Sequence, residues 1–195
     1  MLYEKLHSCQ LVLASSSPRR QQFLKELGLP FEIRLRSVEE IYPQNLKAFE
    51  VAEYLAKLKA SAFSDLQANE ILITGDTVVS IENQILGKPK NKEEAFEMLR
   101  MLSGEKHEVV SSICLKSLKN INVDHDVTKV YFKKLSEEEI EFYIKNFQPF
   151  DKAGAYGIQE WIGQIGIEKI EGSYFNVMGM PTHLLYKMLQ NHIES

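Results

Sequence analysis

The stretch Ile71-Leu72-Ile73-Thr74-Gly75-Asp76-Thr77-Val78-Val79 constrains the fold more than any other part of the chain. It is apolar on both of its alternating faces, so it reads as a central strand of a sheet covered on both sides. A carboxylate inside such a run is costly unless it is paired, protonated or bound to a metal. Asp76 is therefore a candidate functional residue. An acid that caps a turn at a strand end is the plainer alternative. Gly75 beside it lets another backbone or a ligand come close.

A second apolar run, residues 11–14, leads into Ser15-Ser16-Ser17-Pro18-Arg19-Arg20. Pro18 fits the first helical position, Ser17 the N-cap and Gly28 the residue past the helix end. A helix start with three hydroxyls and two arginines suits a phosphate, because the free amides and the dipole there favour an anion. A capped helix with solvated arginines accounts for the same residues, and the stretch itself leaves both readings open. It is not a Walker A loop, since it lacks G-x-x-x-x-G-K-[ST].

Residues 31–35 read as another strand, leading to Glu39-Glu40. A helix spans about residues 45–63, with Val51, Ala52, Leu55, Leu58 and Ala62 at helical spacing. Lys59 shares the side of Ala52, Leu55 and Ala62 and leans toward the protein; a lysine that buries its stem and sends its head to water gives the same pattern. Residues 81–87 read as a hairpin turning at Glu82-Asn83-Gln84. Pro89 holds Lys88 extended, either over the central strand or as an exposed turn lysine. Asn91 caps a helix over 92–102, and residues 109–115 and 122–132 form two long strands. Asp124-His125-Asp126 has ligand chemistry, but neighbouring strand residues face opposite ways, so the three read as a solvated edge. His107 reads as structural.

Ser136 and Glu139 make a capping box for a helix to about residue 147. Residues 150–159, rich in glycine and carrying Asp151-Lys152, read as a binding loop. Gln159 offers a donor and an acceptor, as the edge of a base requires, although it is also an ordinary loop residue. Ile165, Ile167 and Ile170 read as strand residues, and Pro181 opens a last helix.

With 195 residues and a net charge of −4, the chain makes one large domain or two joined lobes, with no general attraction to nucleic acid. No apolar run reaches the roughly 20 residues of a membrane helix. Cys9 and Cys114 read as free thiols. With no signal-peptide pattern around Glu4, Lys5 and His7, a cytoplasmic location is the expectation.

Together these features offer a phosphate-binding helix start, the carboxylates Glu40, Asp76 and Asp151, and the lysines Lys59, Lys88 and Lys152. Carboxylates facing a phosphate suggest a divalent cation, Mg²⁺ or Mn²⁺. The cationic side chains would balance charge on a leaving phosphate. No Cys–His or Ser–His signature is present, so water is the expected nucleophile.

The motifs L-A-S-S-S-P-R-R at 13–20, G-D-T-V-V at 75–79, G-K-P at 87–89, L-S-G at 102–104 and D-K-A-G-A-Y-G-I-Q at 151–159 resemble, in order and spacing, the Maf family of nucleotide pyrophosphatases. The resemblance covers about residues 11–189. It implies an α/β fold similar to inosine triphosphate pyrophosphatases: a long bent mixed sheet between two lobes with flanking helices. Residues 1–195 would form a single domain with the nucleotide in the cleft. It also implies a homodimer and cleavage of a nucleoside triphosphate between the α and β phosphates with a divalent metal.

By the family pattern Asp76 is the catalytic proton acceptor, and Ser15, Arg19, Arg20, Glu40, Lys59, Lys88 and Gln159 fall on other site positions. Adding Lys152, the basic and hydroxyl residues are the phosphate ligands, and Glu40, Asp76 and Asp151 are the metal candidates. Arg19, Thr77 and Gln159 match the subgroup that prefers dTTP and UTP rather than the one that prefers 7-methyl-GTP. Modified pyrimidine triphosphates are further candidate substrates. The family is also linked to arrest of cell division and septum formation, so a nucleotide-binding regulator with little turnover is the alternative. One departure stands out: the usual A-D-T is G-D-T here.

Overall fold

The structure, a computed structural model, describes residues 2–194. In chain order its elements are α1 (Leu2–Lys5), β1 (Gln10–Leu13), α2 (Pro18–Glu26), β2 (Phe31–Ile33), α3 (Ala48–Ser61), β3 (Glu70–Ile81) and β4 (Gln84–Leu86). There follow α4 (Lys92–Leu102), β5 (Lys106–Lys116), β6 (Ile121–Phe132), α5 (Glu137–Phe147), α6 (Trp161–Gly166), β7 (Ile167–Glu171), α7 (Tyr174–Val177) and α8 (Thr182–Glu194). The strands form one mixed sheet in the order β2-β1-β3-β5-β6-β7, with β4 paired to the far end of β3. β1 is parallel to both of its neighbours, and the other pairings are antiparallel. This is the mixed α/β architecture expected from the sequence.

The apolar run at 71–79 becomes the central strand because both its faces are covered. On one face α3 lies over Val12, Leu72 and Cys114, and further along over Val78 and Val110. The opposite face carries two separate apolar clusters. α2 and α8 cover Leu11, Leu13, Ile71, Ile73 and Leu115 at one end. α4 and α5 cover Val79, Ile81, Val109, Val130 and Phe132 at the other.

The pairing of β3 is interrupted where the chemistry sits. On one edge β1 accompanies it only as far as Leu13 opposite Ile73, and β4 joins only from Val79 opposite Leu86. Over residues 74–78 no strand among the described residues pairs with that edge, while β5 pairs continuously on the other side. A strand edge left open in a buried sheet needs other donors for its carbonyls.

Several sequence expectations need adjusting. The strand at 31–35 is only β2, and the helix at 45–63 is the shorter α3. Gln84 belongs to β4, since the hairpin turns at Glu82 and Asn83, both with positive φ. Ile165 lies in α6, not in a strand, because the Glu160 carbonyl accepts from Gly163 N and Gln164 N (3.0 and 3.3 Å) and winds that segment into a turn. Ile167 and Ile170 are in β7 as expected. Cys9 and Cys114 are free thiols.

Candidate active site

The open edge of β3 is the floor of a cleft of about 900 Å³. Ser15, Arg19, Arg20, Glu40, Lys59, Asp76, Thr77, Lys88, Asp151, Lys152 and Gln159 all line it, so every site residue expected from the sequence is gathered there.

Alternation along β3 sets which residue faces which wall. Thr74 and Asp76 point to α3. The Thr74 hydroxyl donates to Ala56 O (2.7 Å) and Ser112, opposite Asp76 on β5, donates to Ala52 O (2.6 Å), one helical turn away. Ser112 Oγ also accepts from Asp76 N at 3.3 Å. These bonds fix the register of α3 on the sheet and bring Lys59, in its last turn, over Asp76. Lys59 Nζ lies 2.5 Å from Asp76 Oδ1 and 3.0 Å from Glu40 Oε1. The buried carboxylate is thus paired. The lysine does not send its head to water: its ammonium turns inward onto two carboxylates.

Gly75 and Thr77 face the other way. A Cβ on Gly75 would stand 2.5 Å from Ser112 O, so the departure from A-D-T accompanies a close approach of β3 to β5. Arg20 supplies what the open edge lacks. It donates from Nη1 to Gly75 O (2.8 Å), from Nε to Gly179 O (2.9 Å) and from Nη2 to Thr77 Oγ1 (3.2 Å). Burial pushes its guanidinium below the ordinary value, against the pull of Asp76. Thr77 Oγ1 also meets Ser111 Oγ at 2.9 Å.

That network ends on Asn176, which is fully buried in α7. Its Oδ1 accepts from Ser111 N, its carbonyl accepts from Ser111 Oγ, and its Nδ2 donates to Val109 O and Thr128 Oγ1. Sequence reasoning missed Asn176; its one signal was an amide between apolar residues. It missed Arg36 as well, which lines the cleft, lies over the Phe63 ring and donates to Ala62 O and Asp65.

Arg19 differs from Arg20. Its Nε is buried and has no hydrogen-bond partner among the described residues, an expensive arrangement for a charged donor group. It stands at the start of α2, where Ser17 caps Arg20 N and Ser15 Oγ accepts from Ser17 N at 3.2 Å. Lys88 and Gln159 also face the cleft, and among the described residues neither side chain has a hydrogen-bond or ion-pair partner. Gly154 N donates to Gly87 O (3.0 Å), joining the G-K-P turn to the glycine-rich loop.

Lys152 is buried, with its ammonium 2.7 Å from Asp151 Oδ1 and 3.1 Å from Glu160 Oε1. Burial pushes the Asp151 carboxyl up, but the bond and charge of Lys152, aided by Arg19, outweigh it and hold the group below its usual range. Asp151 thus carries the Lys152 ammonium while lining the same cleft as Glu40 and Asp76. Among the described residues, the group of three metal-type ligands that converge within 4.8 Å is a different one, Glu53, Asp124 and His125. There His125 Nδ1 meets Glu53 at 2.8 Å, and the Asp124 carboxylate folds back to accept His125 N at 2.8 Å. Two of the three residues read as a solvated edge thus meet despite facing opposite ways, while Asp126 lies near His183 instead.

His107 is structural, as expected. It is buried, its Nε2 meets Tyr156 OH at 2.8 Å, and burial drives its pKa down to about 4. No helix among the described residues is long and apolar enough to cross a membrane.

Residues 10–192 match the profile of a family described as Maf-like protein. A dTTP/UTP pyrophosphatase of Flavobacterium johnsoniae is 57% identical over 190 residues, spanning 97% of this chain and 98% of its own. One from Flavobacterium psychrophilum is 53% identical over 98% of this chain and 99% of its own. Another, from Christiangramia forsetii, is 51% identical over the full length of both. In fold, the chain is similar to the Staphylococcus aureus Ham1 protein, with a TM-score of 0.53 and 18% identity over 94% of this chain and 99% of that one.

Proposed function

Since the chain belongs to the Maf family, we propose that it is a nucleoside triphosphate pyrophosphatase that converts dTTP and UTP to the monophosphate and pyrophosphate. The observation that carries the reading is the division of the cleft residues into two sets. Asp76, Lys59, Arg20 and Lys152 are held by protein partners, whereas Arg19, Lys88 and Gln159 present unpartnered polar groups to the same cavity. A buried guanidinium nitrogen with no acceptor calls for an anion.

In this reading the single domain has its nucleotide cleft between two lobes, the α2/α8 and α4/α5 ends of the sheet. Arg19, Lys88, Ser15 and the positive end of α2 take the triphosphate. Gln159 pairs with the edge of the pyrimidine. Lys59 holds Asp76 through Oδ1, which leaves Oδ2 to orient a water and accept its proton as the water attacks the α-phosphorus. Pyrophosphate then leaves toward Arg19 and Lys88, whose charges offset the charge it carries away.

Glu40 and Asp76 fit a divalent cation in donor chemistry, since two carboxylates already converge on the one ammonium of Lys59. They are the residues that would hold Mg²⁺ or Mn²⁺, which would offset part of the triphosphate's charge and withdraw electron density from its phosphorus. The homodimer belongs to the same proposal and is checked by the mass in solution.

The test is pyrophosphate release from dTTP, UTP, CTP, the purine triphosphates and 7-methyl-GTP, with Mg²⁺ or Mn²⁺ and with Asp76→Asn as control. Turnover concentrated on dTTP and UTP and lost in the variant is expected. Tight binding of every nucleotide without turnover would refute it in favour of a nucleotide-binding regulator.

A further inference from the structure

Gln159 is flanked by a residue that no sequence pattern singled out. Glu160 lines the cleft and closes a chain of contacts from α5 to the glycine-rich loop. Its Oε1 lies 3.1 Å from the buried Lys152 ammonium, and its Oε2 accepts from Tyr143 OH. That hydroxyl in turn accepts from Gly157 N at 3.0 Å. Glu160 N donates to Gly157 O at 3.0 Å, so the turn from Gly157 to Glu160, with Gln159 inside it, is bound at both ends. The fit leaves no slack: a Cβ on Gly157 would stand 2.9 Å from Glu160 Cδ and 3.1 Å from Lys152 Cε. Tyr143 is fully buried, and burial together with the Glu160 carboxylate pushes its hydroxyl pKa up, so it stays a donor.

Lys152 has a consequence of its own. An ammonium between two carboxylates belongs to a group with net negative charge, which is poorly suited to draw a triphosphate. Its placement suits a tether instead. It ties the start of the glycine-rich loop, through Asp151, to its end, through Glu160.

We propose that Glu160 is a positioning residue for nucleotide selection: with Lys152 and Tyr143 it fixes the turn that presents the Gln159 amide to the base. This rests on the reading of the cleft as a pyrimidine triphosphate site. Glu160 acts through Gln159, so its loss weakens discrimination between bases and leaves the Asp76 chemistry in place.

The experiment uses the full chain and two variants. Glu160→Gln keeps an acceptor for Tyr143 and removes the charge opposite Lys152. Tyr143→Phe removes the hydroxyl that joins Glu160 to Gly157. Steady-state kinetics on dTTP, UTP, ATP and GTP are read with the melting temperature of each protein. The expected result is a rise in KM for dTTP and UTP of about tenfold with kcat held within about twofold. The preference over ATP and GTP should narrow by the same factor, with a melting temperature for Glu160→Gln close to wild type. A purely structural role would lower kcat for all four nucleotides together and leave selectivity unchanged. That result, or unchanged KM in Glu160→Gln, would overturn the proposal. A wild type that hydrolyses none of the four would instead refute the pyrophosphatase reading, so the two failures are distinguishable.

Discussion

Arg19 and Arg20 are adjacent and identical in type, yet their surroundings give them different work. Arg20 has its donors on Gly75 O, Gly179 O and Thr77 Oγ1, whereas Arg19 keeps a buried Nε without a partner. Arg19→Ala should therefore raise KM for the triphosphate roughly 10- to 100-fold, the loss of one or two charge-assisted hydrogen bonds, with little change in melting temperature. Arg20→Ala should instead destabilise the fold by about 1–3 kcal/mol, because it strands buried acceptors on the open edge of β3; denaturant titration measures it. His107 gives a pH test. Its pKa falls from 6.5 to about 4 on burial, so between those values the unfolded chain binds the extra proton. The contribution is complete above about pH 6.5 and is lost as pH falls through about 4, amounting to about 3 kcal/mol. A double variant, His107→Phe with Tyr156→Phe, should show a shallower fall in melting temperature from pH 7 to pH 4.5 than wild type.

At the scale of elements, α3 and β3 form the working unit. Hydroxyls from Thr74 and Ser112 grip successive turns of α3 at Ala56 O and Ala52 O, and Lys116 donates to Ala60 O and Phe63 O at its C-terminus. Lys59 reaches Asp76 because that register is fixed. Ser112→Ala should cost about 1–3 kcal/mol of stability, through the lost bond to Ala52 O. It should also lower kcat while leaving the preference among bases unchanged, which comparative kinetics on dTTP and GTP would reveal. Much of this unit was legible in the sequence. The two-faced apolar run marked β3, the acid within it marked Asp76, and helical spacing set Lys59 on the inner side of α3. What the sequence hid were pairings between distant residues. Nothing near Asn176 announces that it binds both β5 and β6. Glu160 follows Gln159 without any motif of its own, and residues 161–166 coil because Glu160 O is there to accept, against the preference of Ile162 and Ile165 for extended chain.

At the scale of the whole molecule, the site exists because β1 and β4 leave the middle of β3 unpaired on one edge while two apolar clusters cover the sheet face on either side of it. In the proposed reading the sheet supplies a rigid floor, the start of α2 takes the phosphates, and the loop over residues 150–159 brings the amide that faces the base. The sequence motifs had shown which groups would meet. The gap in strand pairing that admits a ligand depends on where β1 stops and β4 starts, which local patterns do not encode. In the proposed reaction, water oriented by Asp76 attacks the α-phosphorus. The most direct test is hydrolysis of dTTP in ¹⁸O-labelled water, with the products resolved by mass spectrometry. The label is expected in dTMP and absent from pyrophosphate, with turnover lost in Asp76→Asn. Label in the pyrophosphate, or wild-type turnover in the variant, would contradict it.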